Sequence, residues 1–281
     1  MIYDSIVVGA GPAGLSASIY LRRAGKTVLV LDANHYGGDI TKAHKVENYP
    51  GFDSITGPEL ANKMYKQAES LGAEFKLERV LSITPDKTVV TEKDSYKGKS
   101  IIIATGRVRS FELDKDDYYL GKGLSYCATC DGAFFKNKTV AVIGDGASAI
   151  EDAKYLSNIC AKVYLIGNVD SVNNVEVINA KAVKINGDNV IESIDLEKDG
   201  NITKLEVNGL FVANGQTPNN MFSEIVDIKE NGYFDNKLFP RTKTKGIYIA
   251  GDCVDKELRQ VVTAVSDGAT AATAAIREME D

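Results

Sequence analysis

Several short stretches of the chain are apolar at every position and then stop at a turn. Ser5-Ile6-Val7-Val8 stops at Gly9, Thr27-Val28-Leu29-Val30-Leu31 at Asp32, and Ile101-Ile102-Ile103 at Ala104-Thr105-Gly106. Thr139-Val140-Ala141-Val142-Ile143 stops at Gly144, and Ile247-Tyr248-Ile249-Ala250 at Gly251-Asp252. Runs without alternation predict strands buried on both faces, the habit of parallel sheets. Between the first two lies Gly9-Ala10-Gly11-Pro12-Ala13-Gly14, then a helical stretch to Arg23 with Gly25 as its stop. That order is a βαβ unit. A second one runs from 139–143 through Gly144-Asp145-Gly146-Ala147-Ser148-Ala149 and returns as Val163-Tyr164-Leu165-Ile166. Residues 262–280 form an Ala-rich helix that closes the first lobe, while 168–208 read as short strands and turns. The pattern predicts an α/β fold of two Rossmann-like lobes. Residues 1–111 and 214–281 make a discontinuous outer domain, and 112–213 a smaller inner domain inserted in it.

Composition narrows the classes. With 281 residues, 44% hydrophobic, 26% charged and no Trp, the chain has ordinary globular proportions, which excludes disorder and a disulfide-stapled scaffold. No apolar run approaches the roughly 18 to 20 residues that span a bilayer, and Met1-Ile2-Tyr3-Asp4 lacks a basic leader, so a cytoplasmic location is expected. A net charge of -6 is the opposite of a nucleic-acid binder's basic field.

The first glycine motif has its full context of strand, G-x-G-x-x-G, helix, strand and acid. The glycines let the backbone approach a pyrophosphate, the helix N-terminus receives its charge, and Asp32 accepts hydrogen bonds from a ribose. The second motif fails the same test. Asp32 lies 23 positions after Gly9, and the same step from Gly144 lands on Gly167, beside Asn168. Neither can hold a ribose diol as a carboxylate does, and residues 163–180 carry no basic side chain for a 2′-phosphate. Asp145 adds a carboxylate where a pyrophosphate would lie. The second lobe is therefore expected to have lost NAD(P)H binding, with a variant site as the alternative.

Cys127-Ala128-Thr129-Cys130 precedes that second unit. A C-x-x-C pair can close a small disulfide ring, and such motifs lower one thiol's pKa, so redox chemistry is expected at Cys127 and Cys130. Half of a zinc site is the rival reading. Structural zinc needs four ligands, and His35, His44, Cys160 and Cys253 lack ligand spacing, so no metal is expected. Asp131 can carry protons for the dithiol, or serve only as a turn or cap. Cys160 and Cys253 are expected to pack, and His35 and His44 to lie at the surface or in loops.

Together these residues resemble the low-molecular-weight, flavin-dependent thioredoxin reductases. The likeness runs through Gly9–Gly14, Val46-Glu47-Asn48-Tyr49-Pro50-Gly51, Ala104-Thr105-Gly106, Cys127–Asp131 and Gly251-Asp252 followed by Arg259-Gln260. It implies the FAD/NAD(P)-linked reductase type of fold, FAD in the first lobe, a homodimer, and thioredoxin as partner. Carried over residue by residue, Gly9, Gly11, Pro12, Ala13, Gly14 and Asp32 hold the ADP half of FAD. Gly38, Thr41, Asn48, Val80, Ala104, Thr105, Gly106, Gly251, Asp252, Arg259, Gln260, Val261 and Ala264 line the rest. By the same resemblance Cys130 faces the flavin, Cys127 attacks the partner disulfide and Asp131 handles protons. Asp39 stands where relatives usually carry a polar amide.

NADPH-using relatives carry a His-Arg-Arg cluster after the strand ending near Ile166, where this chain has Gly167-Asn168-Val169-Asp170. The pattern resembles the ferredoxin-dependent flavin thioredoxin reductases, which implies ferredoxin as the electron donor. Two rivals stay open: an NAD(P)H-dependent reductase with an altered site, and a flavin disulfide oxidase that passes electrons to O₂. A disulfide cannot meet the flavin and a protein partner at once, so two domain orientations are expected, hinged near 107–113 and 209–216. An acidic ferredoxin needs a basic patch, and Lys237, Arg241, Lys243 and Lys245 are the densest candidates.

Overall fold

The computed structural model describes residues 1–109, 113, 115–213, 216–218 and 220–280. The chain divides into two compact units, 1–108 with 218–281 and 109–217. These limits lie a few residues from the expected 111/112 and 213/214. Both fall within short strands, Arg107–Arg109 and Gln216–Pro218, that the sequence pattern did not announce. The expected hinges include 110–112 and 214–215, which are outside the described residues.

In the first unit, seven strands among the described residues form one sheet. In order they are Glu74–Leu77, Val28–Asp32, Ile2–Val8, Ser95–Ile103, Thr88–Thr91 and Val80–Ile83, with Ile247–Ile249 also paired to Ser95–Ile103. The strands around Ile2–Val8 run parallel, and the last two are antiparallel. The two-residue period of a strand sends its apolar side chains to two cores. Val7, Val28, Val30 and Ile102 face the helices Pro12–Arg23, Gly57–Ser70 and Val261–Glu280. Ile6, Val8, Leu29, Leu31, Ile101 and Ile103 face Phe222, Ile225, Val226 and Phe234 on the other side. This double burial explains why the strands read as unbroken apolar runs.

Helix ends follow local chemistry. Thr56 and Glu59 form a reciprocal capping box that starts Gly57–Ser70. Gly25 takes φ +75° just past the end of Pro12–Arg23, a conformation that favours glycine. The carboxy-terminal helix packs closely on Pro12–Arg23: a Cβ on Gly268 would stand 2.0 Å from the Ala13 carbonyl oxygen, and Ser16 donates to Val265 O at 2.7 Å. Residues 243–245, in the expected basic patch, lie in the turn entering Ile247–Ile249. That is the opposite strand end from the glycine turns. Lys243 pairs with Asp227 at 3.1 Å and Arg241 with Glu278 at 3.8 Å, so these cations are partly neutralised by their own chain.

The second unit has a smaller parallel sheet in the order Glu176–Ile178, Lys162–Ile166, Thr139–Ile143, Gly209–Val212, Leu124–Ser125. Helix Ala147–Ser157 buries Ala149, Ala153 and Leu156 on one face. The other face is covered by three antiparallel strands, Lys181–Asn186, Ser193–Lys198 and Asn201–Glu206, through Ile185, Ile194 and Leu196. Residues 168–208 thus form strands and turns, and a small sheet stands where a nucleotide-binding lobe would carry further helices.

Asp4 ties the start of the first unit together. Its carboxylate accepts from Thr27 N at 2.8 Å, Thr27 Oγ1 at 2.9 Å and Lys99 Nζ at 2.8 Å. The Lys99 hydrogen bond, followed by those from Thr27, pulls its pKa down to about 2. A depressed carboxylate stabilises the fold above its unfolded-state pKa of about 4, and that contribution fades as pH falls toward 2. Asp4→Asn is expected to cost about 1 kcal/mol at pH 7 and to flatten the stability profile between pH 4 and 2, measured by urea unfolding across pH.

Candidate functional site

Two candidate sites occupy separate units. The first gathers at the carboxyl ends of the parallel strands. Gly9 N–H donates to Leu31 O at 2.8 Å, which joins the glycine turn to the strand that ends at Asp32. A Cβ on Gly14 would lie 1.8 Å from Gly9 O, so turn and helix meet at a distance that only glycine allows. Asp32 reaches back over this turn: Oδ2 accepts from Ala10 N–H at 2.8 Å and Oδ1 from Asn34 N–H at 3.0 Å. Helix Pro12–Arg23 begins with no side-chain cap and no acid in its first turn, and Gly11 and Gly38 pack backbone to backbone. Uncapped N–H groups beside bare glycine backbone suit a pyrophosphate, with Asp32 placed for a ribose.

The remaining residues expected here fall into several small groups. Thr41 donates to Gly38 O at 2.8 Å and meets Nε2 of His35 at 3.1 Å; His35 is exposed and lies in a loop, as expected. Val80 is buried at the start of Val80–Ile83, two residues beyond Glu78, whose N–H bonds Asp32 O at 2.8 Å. Asn48 donates to Gln260 Oε1 at 3.1 Å. Ala104 N–H bonds Val8 O at 2.7 Å, and Thr105 and Gly106 continue from that strand end. Arg259 stacks on the Tyr233 ring at 4.0 Å, while Val261 opens the last helix and Ala264 is buried within it. Asp39 pairs with Lys42 at 2.9 Å.

Asp252 follows Gly251, which has φ +82°. Its Oδ1 is buried and takes no hydrogen bond among the described residues, though Lys256 Nζ approaches to 3.5 Å. Lys256 also pairs with Asp267 at 2.7 Å, Asp267 accepts Gly251 N–H at 3.1 Å, and Arg107 lies 3.7 Å from Asp252. A buried acceptor at a strand end fits a bound hydroxyl-bearing cofactor. Arg107 and Lys256 were missed by motif reading; the spacing of Lys256 four residues after Asp252 was the available signal. Cys253 is fully buried, its Sγ 3.3 Å from Ala250 O, and burial pushes its thiol up to about 11. It packs in the core, where burial disfavours the reactive thiolate.

In the second unit the glycine turn is built on the same plan, since Gly144 N–H donates to Ile166 O at 3.1 Å. Gly144 therefore matches Gly9, and Gly167 matches Asp32. The carboxylate, however, has changed sides. Asp145, in the turn itself, accepts Asn168 N–H at 2.6 Å. A Cβ on Gly167 would lie 2.4 Å from Gly144 O and 2.7 Å from Asp145 Oδ1, so no ribose-binding side chain fits there without a shift.

Cys127 and Cys130 are joined as a disulfide at the start of the short helix Ala128–Asp131. Cys130 N–H points at Cys127 Sγ, 3.2 Å away. Asp131 is half-buried; burial raises its pKa, while a 2.6 Å hydrogen bond donated by Ser125 opposes the rise. Cys160 is half-buried after helix Ala147–Ser157, and burial raises its pKa as well. Among the described residues no group of three or more His, Cys, Asp or Glu is placed to hold a metal, and no helix is long and apolar enough to cross a membrane.

Comparison with known proteins places this geometry. Residues 3–268 match the family model of the pyridine nucleotide-disulphide oxidoreductases. A thioredoxin reductase of Bacillus subtilis is 35% identical over 302 aligned positions, covering 100% of this chain and 96% of that protein. Among solved structures, thioredoxin reductase from Streptococcus pyogenes superposes with a TM-score of 0.93 at 34% identity, covering 99% of this chain and 98% of that one. A ferredoxin-flavin thioredoxin reductase from Clostridium acetobutylicum has a TM-score of 0.57 at 30% identity, covering 99% and 98%.

Asp32→Ala removes the acceptor of two backbone N–H groups and the expected ribose partner. FAD affinity is expected to fall about 10- to 100-fold, which corresponds to roughly 1.4 to 2.8 kcal/mol, measured by titrating FAD into the deflavinated protein.

Proposed function

Because the chain belongs to the pyridine nucleotide-disulphide oxidoreductases, and within them to the low-molecular-weight thioredoxin reductases, we propose that it reduces the disulfide of thioredoxin with electrons from reduced ferredoxin. FAD is the cofactor of this family, and the first unit's glycine turn, Asp32 and the open acceptor on Asp252 fit it. When bound, FAD supplies the electron pair that opens the Cys127–Cys130 bond.

The observation that carries the choice of donor is the Asp145–Asn168 contact. It puts a negative charge in the turn where a nucleotide pyrophosphate would rest and closes position 167 to a ribose-binding acid. With no cation in 163–180, a 2′-phosphate has no partner either. The relative from Clostridium acetobutylicum, named for ferredoxin, supports the same donor. The overall reaction takes two electrons from two reduced ferredoxins and two protons, and yields the thioredoxin dithiol. The energetics are favourable: a gap of about 130 mV between a low-potential ferredoxin and thioredoxin is roughly 6 kcal/mol for two electrons.

The chain's own residues then act in order. Cys130 N–H stabilises negative charge on Cys127 Sγ, which makes Cys127 the attacking sulfur. Cys127 forms a mixed disulfide with the partner and displaces one partner thiolate. Asp131 delivers a proton to that thiolate. Cys130 next attacks Cys127 Sγ, re-forms the internal disulfide and releases the partner's second sulfur. The same reading makes the protein a cytoplasmic homodimer.

Anaerobic flavin titration tests the donor. Excess NADPH or NADH is expected to leave the oxidised flavin absorbance unchanged, and photoreduced ferredoxin to bleach it within seconds. Rapid bleaching by either nucleotide would overturn the ferredoxin assignment. Cys130→Ser is expected to accumulate a covalent adduct with thioredoxin, seen by non-reducing electrophoresis, while Cys127→Ser gives none.

A further inference from the structure

Ser125 lies on the strand Leu124–Ser125, is 2% exposed, and belongs to no motif of the site. Its hydroxyl is used in both directions. Oγ accepts Cys127 N–H at 3.0 Å and donates to Asp131 Oδ2 at 2.6 Å; Cys127 O lies farther away, at 3.3 Å. Asp131 N–H in turn donates to Cys127 O at 3.1 Å. The loop of contacts runs from Cys127 backbone to Ser125 hydroxyl to Asp131 carboxylate and back to Cys127 backbone. A hydroxyl can take one bond and give the other from a single atom, which no methyl group can do. The strand is itself fixed, because Ser125 is in register with Phe211 of Gly209–Val212.

We propose that Ser125 is the positioning residue for the proton-handling acid: its hydroxyl holds the Asp131 carboxylate against the cysteine pair. This rests on the reading of Asp131 given above. The other groups around Asp131 do not substitute for Ser125. Its own segment carries Tyr126 and the two cysteines, and Tyr126 donates to Asp116 at 3.2 Å. The facing helix Ala147–Ser157 carries Glu151, Asp152, Lys154 and Tyr155, and the strand Gly209–Val212 carries no titratable side chain. Burial and Ser125 are the influences that move Asp131, in opposite directions.

The chemistry fixes the sign. As a carboxylate, Asp131 accepts the proton of the Cys127 thiol; as an acid, it gives that proton to the departing partner thiolate. No electron passes through it. A hydrogen bond donated to the carboxylate favours its charged form, so removing the hydroxyl raises the pH at which Asp131 becomes charged. The rate of dithiol transfer should then fall away at a higher pH.

The test uses the FAD-loaded protein, reduced with dithionite and freed of excess reductant, then mixed with oxidised thioredoxin. The single-turnover rate is followed from pH 4 to 9. In Ser125→Ala the acid limb is expected to move up by about one pH unit, a tenfold loss of rate below the limb, with the plateau retained. Ser125→Thr, which keeps the hydroxyl, is expected to restore the wild-type limb, and Asp131→Asn to abolish it. A uniform loss at every pH in Ser125→Ala, or an unmoved limb, would overturn the inference. If Asp131→Asn keeps the limb, the role given to Asp131 fails, and the role of Ser125 falls with it. Thioredoxin reduction by wild-type protein would be untouched by either result.

Discussion

Both units depend on the placement of one carboxylate against a glycine turn. In each, a backbone hydrogen bond fixes the turn to the neighbouring strand, Gly9 to Leu31 and Gly144 to Ile166. In the first, the acid stands on the strand and reaches the turn, through Asp32 to Ala10 N–H. In the second, it stands in the turn and reaches the strand, through Asp145 to Asn168 N–H. In both units a carboxylate accepts a backbone N–H that ties turn to strand, although Asp32 also accepts Asn34 N–H. What changes is the charge that an incoming dinucleotide meets: bare N–H groups in one case, a carboxylate in the other. In the reading proposed above, a single frame yields one lobe suited to a cofactor and one lobe free for another task.

That other task is dithiol chemistry. The parallel sheet of the second unit presents Leu124–Ser125 at its edge, and the cysteine pair follows at once on a helical turn. A thiol exchange site needs an accessible sulfur, a group that favours its negative charge and a nearby proton carrier. In the proposed mechanism Cys127, the Cys130 N–H and Asp131 meet those needs, and the structure places them within five residues. The three antiparallel strands that close the opposite sheet face contribute burial through Ile185, Ile194 and Leu196, and leave the chemistry to the cysteine end.

Much of this was legible before any coordinates. The βαβ units announced themselves because their strands are buried on both faces and their turns need glycine. The mismatch at Gly167 was visible from spacing alone. The capped helix Gly57–Ser70 and the antiparallel strands Val80–Ile83 and Thr88–Thr91 carried no motif, since amphipathic helices and half-exposed strands vary freely in residue type. Ser125 and Arg107 were invisible for a different reason, and Lys256 offered only its spacing from Asp252. Their roles come from partners brought close by the fold or by side-chain direction, and a serine two residues before a cysteine carries no signature of its own. The basic segment 241–245 was legible as a cluster of cations, but a count of cations does not reveal that Arg241 pairs with Glu278 and Lys243 with Asp227.

The close packing of Gly268 on the Ala13 carbonyl has a bearing on how the protein is made. The turn at Gly9–Gly14 is synthesised before the inserted unit, and the residues that complete its surroundings, from Asp252 through Gln260 to Gly268, follow it. Between them the ribosome delivers the whole of the inserted unit. The inner unit, continuous from 109 to 217, can therefore fold while the outer one waits half-built. The surroundings of the turn are complete only when residues 252–268 have followed the inner unit.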